Sequence, residues 1–478
     1  MRTAYDVTTV RAAEAELMAH LPEHALMQRA AAGLAAACAD MLGRVYGARV
    51  VLLVGSGDNG GDALYAGARL ARRGARVDAV LLSPDRTHPE GLAALRRAGG
   101  RVADDPFEVL ASIDLVLDGI TGIGGHGGLR PEAVPLARAA RGSGALVVAV
   151  DLPSGVDAGT GEVAGEALRA DVTVTFGAYK PGLLIDPARE YAGAVRLIPI
   201  GLDLPSVPDV EALQHADVAD LLPTPSGESD KYRRGVVGVV AGSARYPGAA
   251  VLAVAGALRG GAGAVRYVGP GGDAVLARFP ETLVSDGPPA KAGRVQAWVV
   301  GPGLGEDEGQ GVADVLASDV PVLVDADGLR GLDPRTVRAR SAETLLTPHA
   351  GEAAALLGVA RERVEAERLA SVRELAERFG ATVLLKGSTT LVASADGPVR
   401  ANATGTPWLA TAGSGDVLSG LAGSLLAAGL RAVDAGSAGA YLHGLAGRRA
   451  AGGAPTTAYA VAEALPAAWQ DITRPGPS

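Results

Sequence analysis

Apolar positions along this chain fall into two alternating registers. Continuous apolar runs of strand length occur at Val50–Val54, Val77–Leu82, Leu115–Leu117, Ala145–Val150 and Val172–Phe176. Between them apolar residues recur every three or four positions, as in Val10, Ala13 and Leu17, or Met27, Ala30, Leu34, Cys38 and Met41. Unbroken apolar runs read as strands covered on both faces, and the wider spacing reads as helix. Their alternation predicts a parallel sheet between helical layers. The pattern breaks between 201 and 235, where Pro205, Pro208, Pro223, Pro225 and Gly227 punctuate a more polar stretch. A domain boundary is expected there, near 210–225. It then resumes with strands at Val236–Val240, Ala264–Val268 and Ala297–Val300, a small-residue helix over about 248–259, and apolar runs within 320–329, 343–352 and 381–390. No sequence repeat relates the halves, although both read as α/β.

Ligands of such sheets gather at the carboxyl ends of the strands, and polar residues cluster there in this chain. In the first half these are the glycine loop Gly55–Asp62 (GSGDNGGD), with a helix expected from about Ala63 to Arg73, then Asp118 and Asp151, each read as standing just past a strand. The loop contains G-x-G-x-x-G, yet Leu82-Ser83 stands where a dinucleotide site has its acid, and Asp58 and Asp62 place carboxylates where a pyrophosphate would lie. Gly61 stands where a phosphate loop needs lysine. A polar site for a cation or for ligand hydroxyls fits better, and Asn59, Asp118 and Ser154 offer oxygen ligands suited to an alkali-type cation. Each of these residues taken singly fits a turn or cap equally well.

In the second half Gly303, Gly305, Asp325, Asp327, His349 and Lys386 follow strands. Lys386-Gly387-Ser388-Thr389-Thr390 combines an ammonium, a flexible amide and hydroxyls, the makings of a phosphate cradle or of a simple β-turn. The stretch LATAGSGDVLSG, Leu409–Gly420, turns on Gly413-Ser414-Gly415 into an apolar helix. The free amides of a helix start bind anions. An acid there, Asp416, fits a base that takes a proton from a hydroxyl while the amides hold a phosphate. The bland alternative is a glycine-capped helix start.

Composition narrows the partners. With 48% hydrophobic and 20% charged residues, 478 residues suffice for two folded cores. A net charge of −9 argues against nucleic acid. Cys38 is the sole cysteine, which rules out intrachain disulfides and cysteine-rich zinc sites. The first residues carry no apolar signal region, and no run of membrane-spanning length occurs. A cytoplasmic protein with no membrane partner is expected. Lysine occurs only at Lys180, Lys231, Lys291 and Lys386, a hint that a compact ammonium is wanted at these positions.

Taken together the motifs are recognisable. Residues 1–215 resemble the NAD(P)H-hydrate epimerase domain, whose hallmark GxGNNGGDG reads GSGDNGGDA here, with further matching blocks around Asp118, in VAVDLPSGVDAGTGEV and in ADVTVTFGAYKPGL. Residues 220–478 resemble the ADP-dependent NAD(P)H-hydrate dehydratase of the ribokinase-like superfamily, through PGAAVLAVAGALRGGAGAV, VVGPGLG, LLTPHAGE, VLLKGSTTLV and ATAGSGDVLSG. The resemblance implies a Rossmann-like three-layer α/β/α domain followed by a ribokinase-like α/β/α domain. It implies repair of hydrated NADH and NADPH: the first domain interconverts the R and S hydrates, and the second dehydrates the S form with ADP and Mg²⁺. It further implies hydrate contacts at Asp58, Asn59, Gly60, Gly61 and Asp62, at Gly122, Ile123, Gly124, Gly125, His126, Gly127 and Gly128, and at Asp151. Asn59, Asp118 and Ser154 resemble K⁺ ligands. In the second domain Ala249, Gly303, His349 and Asp416 resemble hydrate-binding positions, Asp416 being the catalytic base, and Lys386, Gly387, Ser388, Thr389, Thr390 and Gly415 resemble the ADP site. Homo-oligomers are compatible with the family pattern.

The sequence departs from that pattern at Asp58, Ala63, residues 119–128 and Ala412. Two alternatives stay open at this level: a ribokinase-like small-alcohol kinase in the second half, and a non-catalytic ligand-binding module in the first.

Overall fold

A computed structural model describes residues 1–305 and 309–474. The chain divides into two compact units, Thr3–Val210 and Glu211–Ser478 with Met1–Arg2.

In the first unit a seven-stranded sheet runs in the order Arg101–Val102, Arg76–Leu81, Arg49–Val54, Leu115–Gly119, Leu146–Val150, Val172–Phe176, Ala194–Ile198. All of its pairings are parallel. The continuous apolar runs have the expected cause. Val50, Leu52 and Val54 point into one core beneath the helices Ala25–Leu42 and Asp58–Arg72, while Val51 and Leu53 point into another beneath Val134–Gly142.

Two sequence expectations change here. The helix after the first glycine turn begins at Asp58, not near Ala63, so the glycine-rich stretch is largely a helix N-terminus. Asp118 lies inside the strand Leu115–Gly119, fully buried, rather than past its end.

The second unit's sheet contains, in order, Val399–Asn402, Thr390–Ala393, Thr382–Leu385, Thr344–Leu346, Val322–Val324, Ala297–Val300, Val236–Val240, Ala264–Val268 and Leu283–Ser285. Pairings from Leu283–Ser285 through Thr382–Leu385 are parallel, and the last two strands add an antiparallel hairpin. The proline-punctuated stretch expected to be a linker is partly structured: Val210–Ala212 is a strand and His215–Leu221 a helix. Leu213, Val218 and Leu222 anchor it in the second core.

On one face the helices Pro247–Arg259 and Ser414–Ala427 pack nearly backbone to backbone. Small residues permit this: a Cβ on Gly420 would overlap the Ala253 carbonyl and lie 2.7 Å from Ala257 N. Gly420→Ala is expected to destabilise this unit by about 2–3 kcal/mol, overpacking outweighing alanine's better helix propensity. Thermal unfolding of the purified chain should show it as a melting temperature about 5 °C or more lower. Among the described residues no helix is long and apolar enough to cross a membrane.

Candidate active sites

In the first unit the strand Arg49–Val54 delivers the chain to Gly55–Gly57, and the helix Asp58–Arg72 starts against the neighbouring strand's end. Glycine makes that approach feasible. A Cβ on Gly55 would overlap the Ile120 carbonyl, and one on Gly60 the Gly55 carbonyl. The pressed-in helix start directs Asn59 to the strand ends, where Asn59 Nδ2 donates to Thr121 O at 3.1 Å and to Val150 O. Beneath it, Asp118 accepts from Ser154 Oγ at 2.6 Å and Ser154 N at 2.8 Å, while Ser154 Oγ accepts from Thr121 N at 2.9 Å. Thr121 thus joins Asn59 to the Asp118–Ser154 pair. Burial pushes the Asp118 carboxyl up to about 6, against the lowering effect of the Ser154 hydrogen bonds.

Asp151 follows the strand Leu146–Val150 at a left-handed φ of 66°, a conformation rare outside glycine and often found at working sites. Its Oδ1 accepts from Thr175 Oγ1 at 2.9 Å, from Phe176 N at 3.1 Å and from Lys180 Nζ. Both members of the Asp151–Lys180 pair are buried. Nearby, Asp62 Oδ1 is buried without a hydrogen-bond partner among the described residues. Burial above all, then the charges of Asp151, Asp58 and Glu14, pushes Asp62 well above the usual carboxylate range. Glu14 is raised for similar reasons, with Lys180 opposing.

These groups surround a cavity of about 1130 Å³. Its wall includes Asp58, Asn59, Asp62, Gly122, Ile123, Gly124, Gly125, His126, Gly128 and Asp151. Gly60, Gly61 and Gly127 are not on that wall; the first two are buried in helix packing. Asp118 and Ser154 lie behind it. Sequence reasoning missed Arg11, Glu14, His24, Thr121 and Phe176 on the wall, and Lys180 as the partner of Asp151. Lys180 carried a signal in its rarity; Arg11 and Glu14 carried none, since only folding brings their helix to the cavity. The Asp118 carboxylate and the Ser154 hydroxyl lie together and are linked through Thr121 to the Asn59 amide, and among the described residues no cationic side chain pairs with Asp118. That composition fits a monovalent cation.

In the second unit a pocket of about 510 Å³ is lined by Arg245, Tyr246, Pro247, Gly248, Ala249, Leu252, Gly303, Asp327, Arg330, Ala412, Gly413 and Asp416. Gly413 caps the helix Ser414–Ala427 at a left-handed φ of 84°. Asp416 in the first turn is half-buried, and among the described residues it makes neither a hydrogen bond nor an ion pair. Burial first, then Asp325, Asp327 and Glu352, push its carboxyl up to about 7 against the opposing ammonium of Lys386. Lys386 sits alongside: a Cβ on Gly415 would lie 3.4 Å from its Nζ. It pairs with Asp325 at 2.6 Å and lies 3.8 Å from Glu352. Burial disfavours its charge, but Asp325, Glu352 and Asp416 more than offset this and hold its pKa above the ordinary value. Behind the turn His443 Nε2 meets Ser414 Oγ at 3.3 Å, and burial lowers the imidazole to about 4.

The other residues singled out in the sequence take varied places. Ala249, Gly303 and Asp416 share the pocket wall. His349 is not on it; it caps the helix Ala350–Leu357 in a reciprocal box with Glu352. Gly387 and Ser388 are exposed, Thr390 half-buried and Thr389 buried. The turn they form is braced from below by Arg368, whose guanidinium donates to Leu385 O, Lys386 O and Thr389 O. Asp325 and Asp327 were visible as acids after a strand without an assigned role, whereas Glu352, Ser419 and Arg330 gave no separable signal.

Comparison with known proteins gives the geometry its context. Residues 237–466 match the family model described as NAD(P)H-hydrate dehydratase, and residues 23–182 match that of the YjeF-related protein N-terminus. The bifunctional NAD(P)H-hydrate repair enzyme of Mycobacterium leprae is 51% identical over 472 residues, covering 96% of this chain and 97% of that protein. Its counterpart from Mycobacterium tuberculosis is 52% identical over 439 residues, 90% of each chain. Among solved structures, the ADP/ATP-dependent NAD(P)H-hydrate dehydratase of Bacillus subtilis, co-crystallised with ATP/Mg²⁺, is 29% identical with a TM-score of 0.50 and covers 54% of this chain and 97% of that one.

Proposed function

The chain belongs to the bifunctional NAD(P)H-hydrate repair enzymes, and from that premise we propose how its parts divide the work. Thr3–Val210 interconverts the R and S hydrates of NADH and NADPH, and Glu211–Ser478 dehydrates the S hydrate at the expense of ADP.

Epimerisation inverts C6, which carries the added hydroxyl. Asp62, whose carboxyl burial and neighbouring carboxylates push well above the usual range, protonates that hydroxyl as it leaves, and the ring nitrogen's lone pair stabilises the cation left behind. Water re-adds from the opposite face and gives its proton to Asp151, which Lys180 and Thr175 hold in place. Asn59, Asp118 and Ser154 would hold K⁺, whose charge would compensate the buried Asp118. The glycines of 122–128 leave room for the bulk of the dinucleotide, with Asp58, Ile123 and His126 among its contacts. Gly60, Gly61 and Gly127 act through backbone shape.

Dehydration begins with Asp416 taking the proton of the C6 hydroxyl while its oxygen attacks the terminal phosphorus of ADP; AMP departs. The amide at Gly415, with the Lys386 ammonium, stabilises charge on the transferring group. Phosphate then leaves C6 and a proton leaves C5, restoring the ring double bond. Ala249 and Gly303 seat the hydrate, and the turn from Lys386 to Thr390 seats ADP. We assign His349 a share in binding the hydrate through its helix cap. Mg²⁺ bound to the phosphates of ADP would neutralise their charge during the transfer. With hydrated NADH and NADPH as substrates, we assign the enzyme to the cytoplasm.

The observation that carries this reading is Asp416: an acid at a glycine-capped helix start, without an ion-pair partner among the described residues and with an ammonium beside it. The test offers ADP with S hydrate against ATP with small alcohols. Reduced-nicotinamide absorbance should appear only with ADP and hydrate, and phosphorylation of the alcohols alone would reverse the assignment to a kinase. Because Asp416 must be ionised to act and its carboxyl lies at about 7, kcat/KM should fall about tenfold per pH unit below that value.

A further inference from the structure

The dehydratase site holds a general base and an ammonium in one small space. A Cβ on Gly415, next to Asp416, would lie 3.4 Å from Lys386 Nζ and 3.9 Å from Asp325 Oδ2. An ammonium free to approach a carboxylate at such range pairs with it, and a paired carboxylate is a weaker base. Here the pair is not made. Lys386 Nζ donates to Asp325 Oδ1 at 2.6 Å instead. The other oxygen, Asp325 Oδ2, accepts from Ser419 Oγ at 2.7 Å, and Ser419 belongs to the same helix as Asp416. Asp325 itself is almost completely buried, so its two bonds tie the end of the strand Thr382–Leu385 to the helix Ser414–Ala427 from inside. Among the described residues Asp416 is left without a hydrogen-bond or ion-pair partner.

We propose, on the basis of the dehydratase assignment, that Asp325 is a positioning residue for the dehydration step: by holding the Lys386 ammonium and the Ser419 hydroxyl, it keeps Lys386 beside the phosphoryl site and off Asp416, so that the base remains free for the substrate hydroxyl. The charged groups that bear on Asp416 are Asp325, Asp327 and Glu352, which favour its acid form, and Lys386, which opposes it; Arg245 and Arg330 share its pocket wall. Loss of Asp325 therefore acts twice in the same direction. One neighbouring acid disappears, and the ammonium is released toward Asp416.

A double-mutant cycle separates these two effects. The Asp416 carboxyl is titrated by ¹³C NMR in the full chain, its signal assigned by its loss in Asp416→Asn, so no turnover is required. Asp325→Asn should lower the Asp416 midpoint by about one pH unit or more in the otherwise unaltered chain, and by less than about a third of that when Lys386→Met is also present. Equal shifts in both backgrounds would mean that Asp325 acts through its own charge alone, and no shift in either would mean that it does not act on Asp416; both overturn the proposal. If Asp325→Asn does not fold, Ser419→Ala, which loosens Asp325 without removing its charge, is read in the same cycle. A smaller downward shift that needs Lys386 supports the clamp, and no shift overturns it. ADP-dependent turnover by the unaltered chain is measured alongside: its absence sinks the dehydratase reading, while its presence with an additive cycle sinks only the role of Asp325.

Discussion

Asp416→Asn is expected to lower ADP-dependent dehydration by about 10³-fold or more while leaving interconversion of the R and S hydrates unchanged. Asparagine has the shape of aspartate but takes no proton, so the attacking oxygen keeps its hydrogen while phosphoryl transfer is under way. The fold should not suffer. Among the described residues Asp416 makes no hydrogen bond to lose, and its folded-state carboxyl, at about 7, lies above the usual value. A raised carboxyl pKa means that the ionised form is disfavoured in the folded state, a cost that grows above the unfolded value and is fully felt once the pH exceeds the folded one. Removing the acid lifts that cost, so the variant should melt at the same temperature as the parent or higher near pH 8. Dehydration that persists in a folded variant would take the catalytic role from Asp416.

The second large effect belongs to the other unit. Asp62→Asn should slow epimerisation by about 10²–10⁴-fold, the range in which a general acid contributes, with dehydration of pure S hydrate untouched. Asp62 is the cleaner choice over Asp151, because Asp151→Asn would strand the buried Lys180 without its counter-ion, a loss worth about 3–5 kcal/mol. Burial and neighbouring carboxylates push Asp62 well above the usual carboxylate range, and among the described residues its Oδ1 has no hydrogen-bond partner. Asn has nearly the same shape and removes no ion pair, so the melting temperature should hold. Supplying R hydrate with ADP and following the delayed rise of reduced-nicotinamide absorbance measures the effect. An unchanged delay would remove Asp62 from the reaction.

How much of the fold and its sites was legible in the sequence depended on distance along the chain. The sheet strands announced themselves as unbroken apolar runs because both faces are covered, as Val50 to Val54 show by pointing alternately into two cores. The glycine stretch was legible as a site but not as a helix. Gly60 and Gly61 weaken helix propensity, yet the missing side chain of Gly60 is what lets the helix start press against Gly55, as that of Gly55 lets the turn press against Ile120. Asp118 looked like a loop acid because a carboxylate is a poor strand residue; Ser154, 36 positions away, supplies the hydrogen bonds that make its burial tolerable. Glu14 reaches the first cavity, and Asp325 and Glu352 reach Lys386, only through tertiary packing, which no local pattern records. His349 was conspicuous for its motif, and the fold uses it as a helix cap.

Both catalytic assignments meet in one experiment. An equilibrated mixture of R and S hydrates is incubated with the full chain, ADP and Mg²⁺, and absorbance of the reduced nicotinamide is followed to completion against the Asp62→Asn variant, which sets the rate of spontaneous epimerisation. Complete recovery in a single sustained phase is expected for the parent chain, and for the variant a fast phase that ends when the S form is spent, followed by a slow one. A parent chain that halts with the variant at the end of the S phase would contradict that expectation.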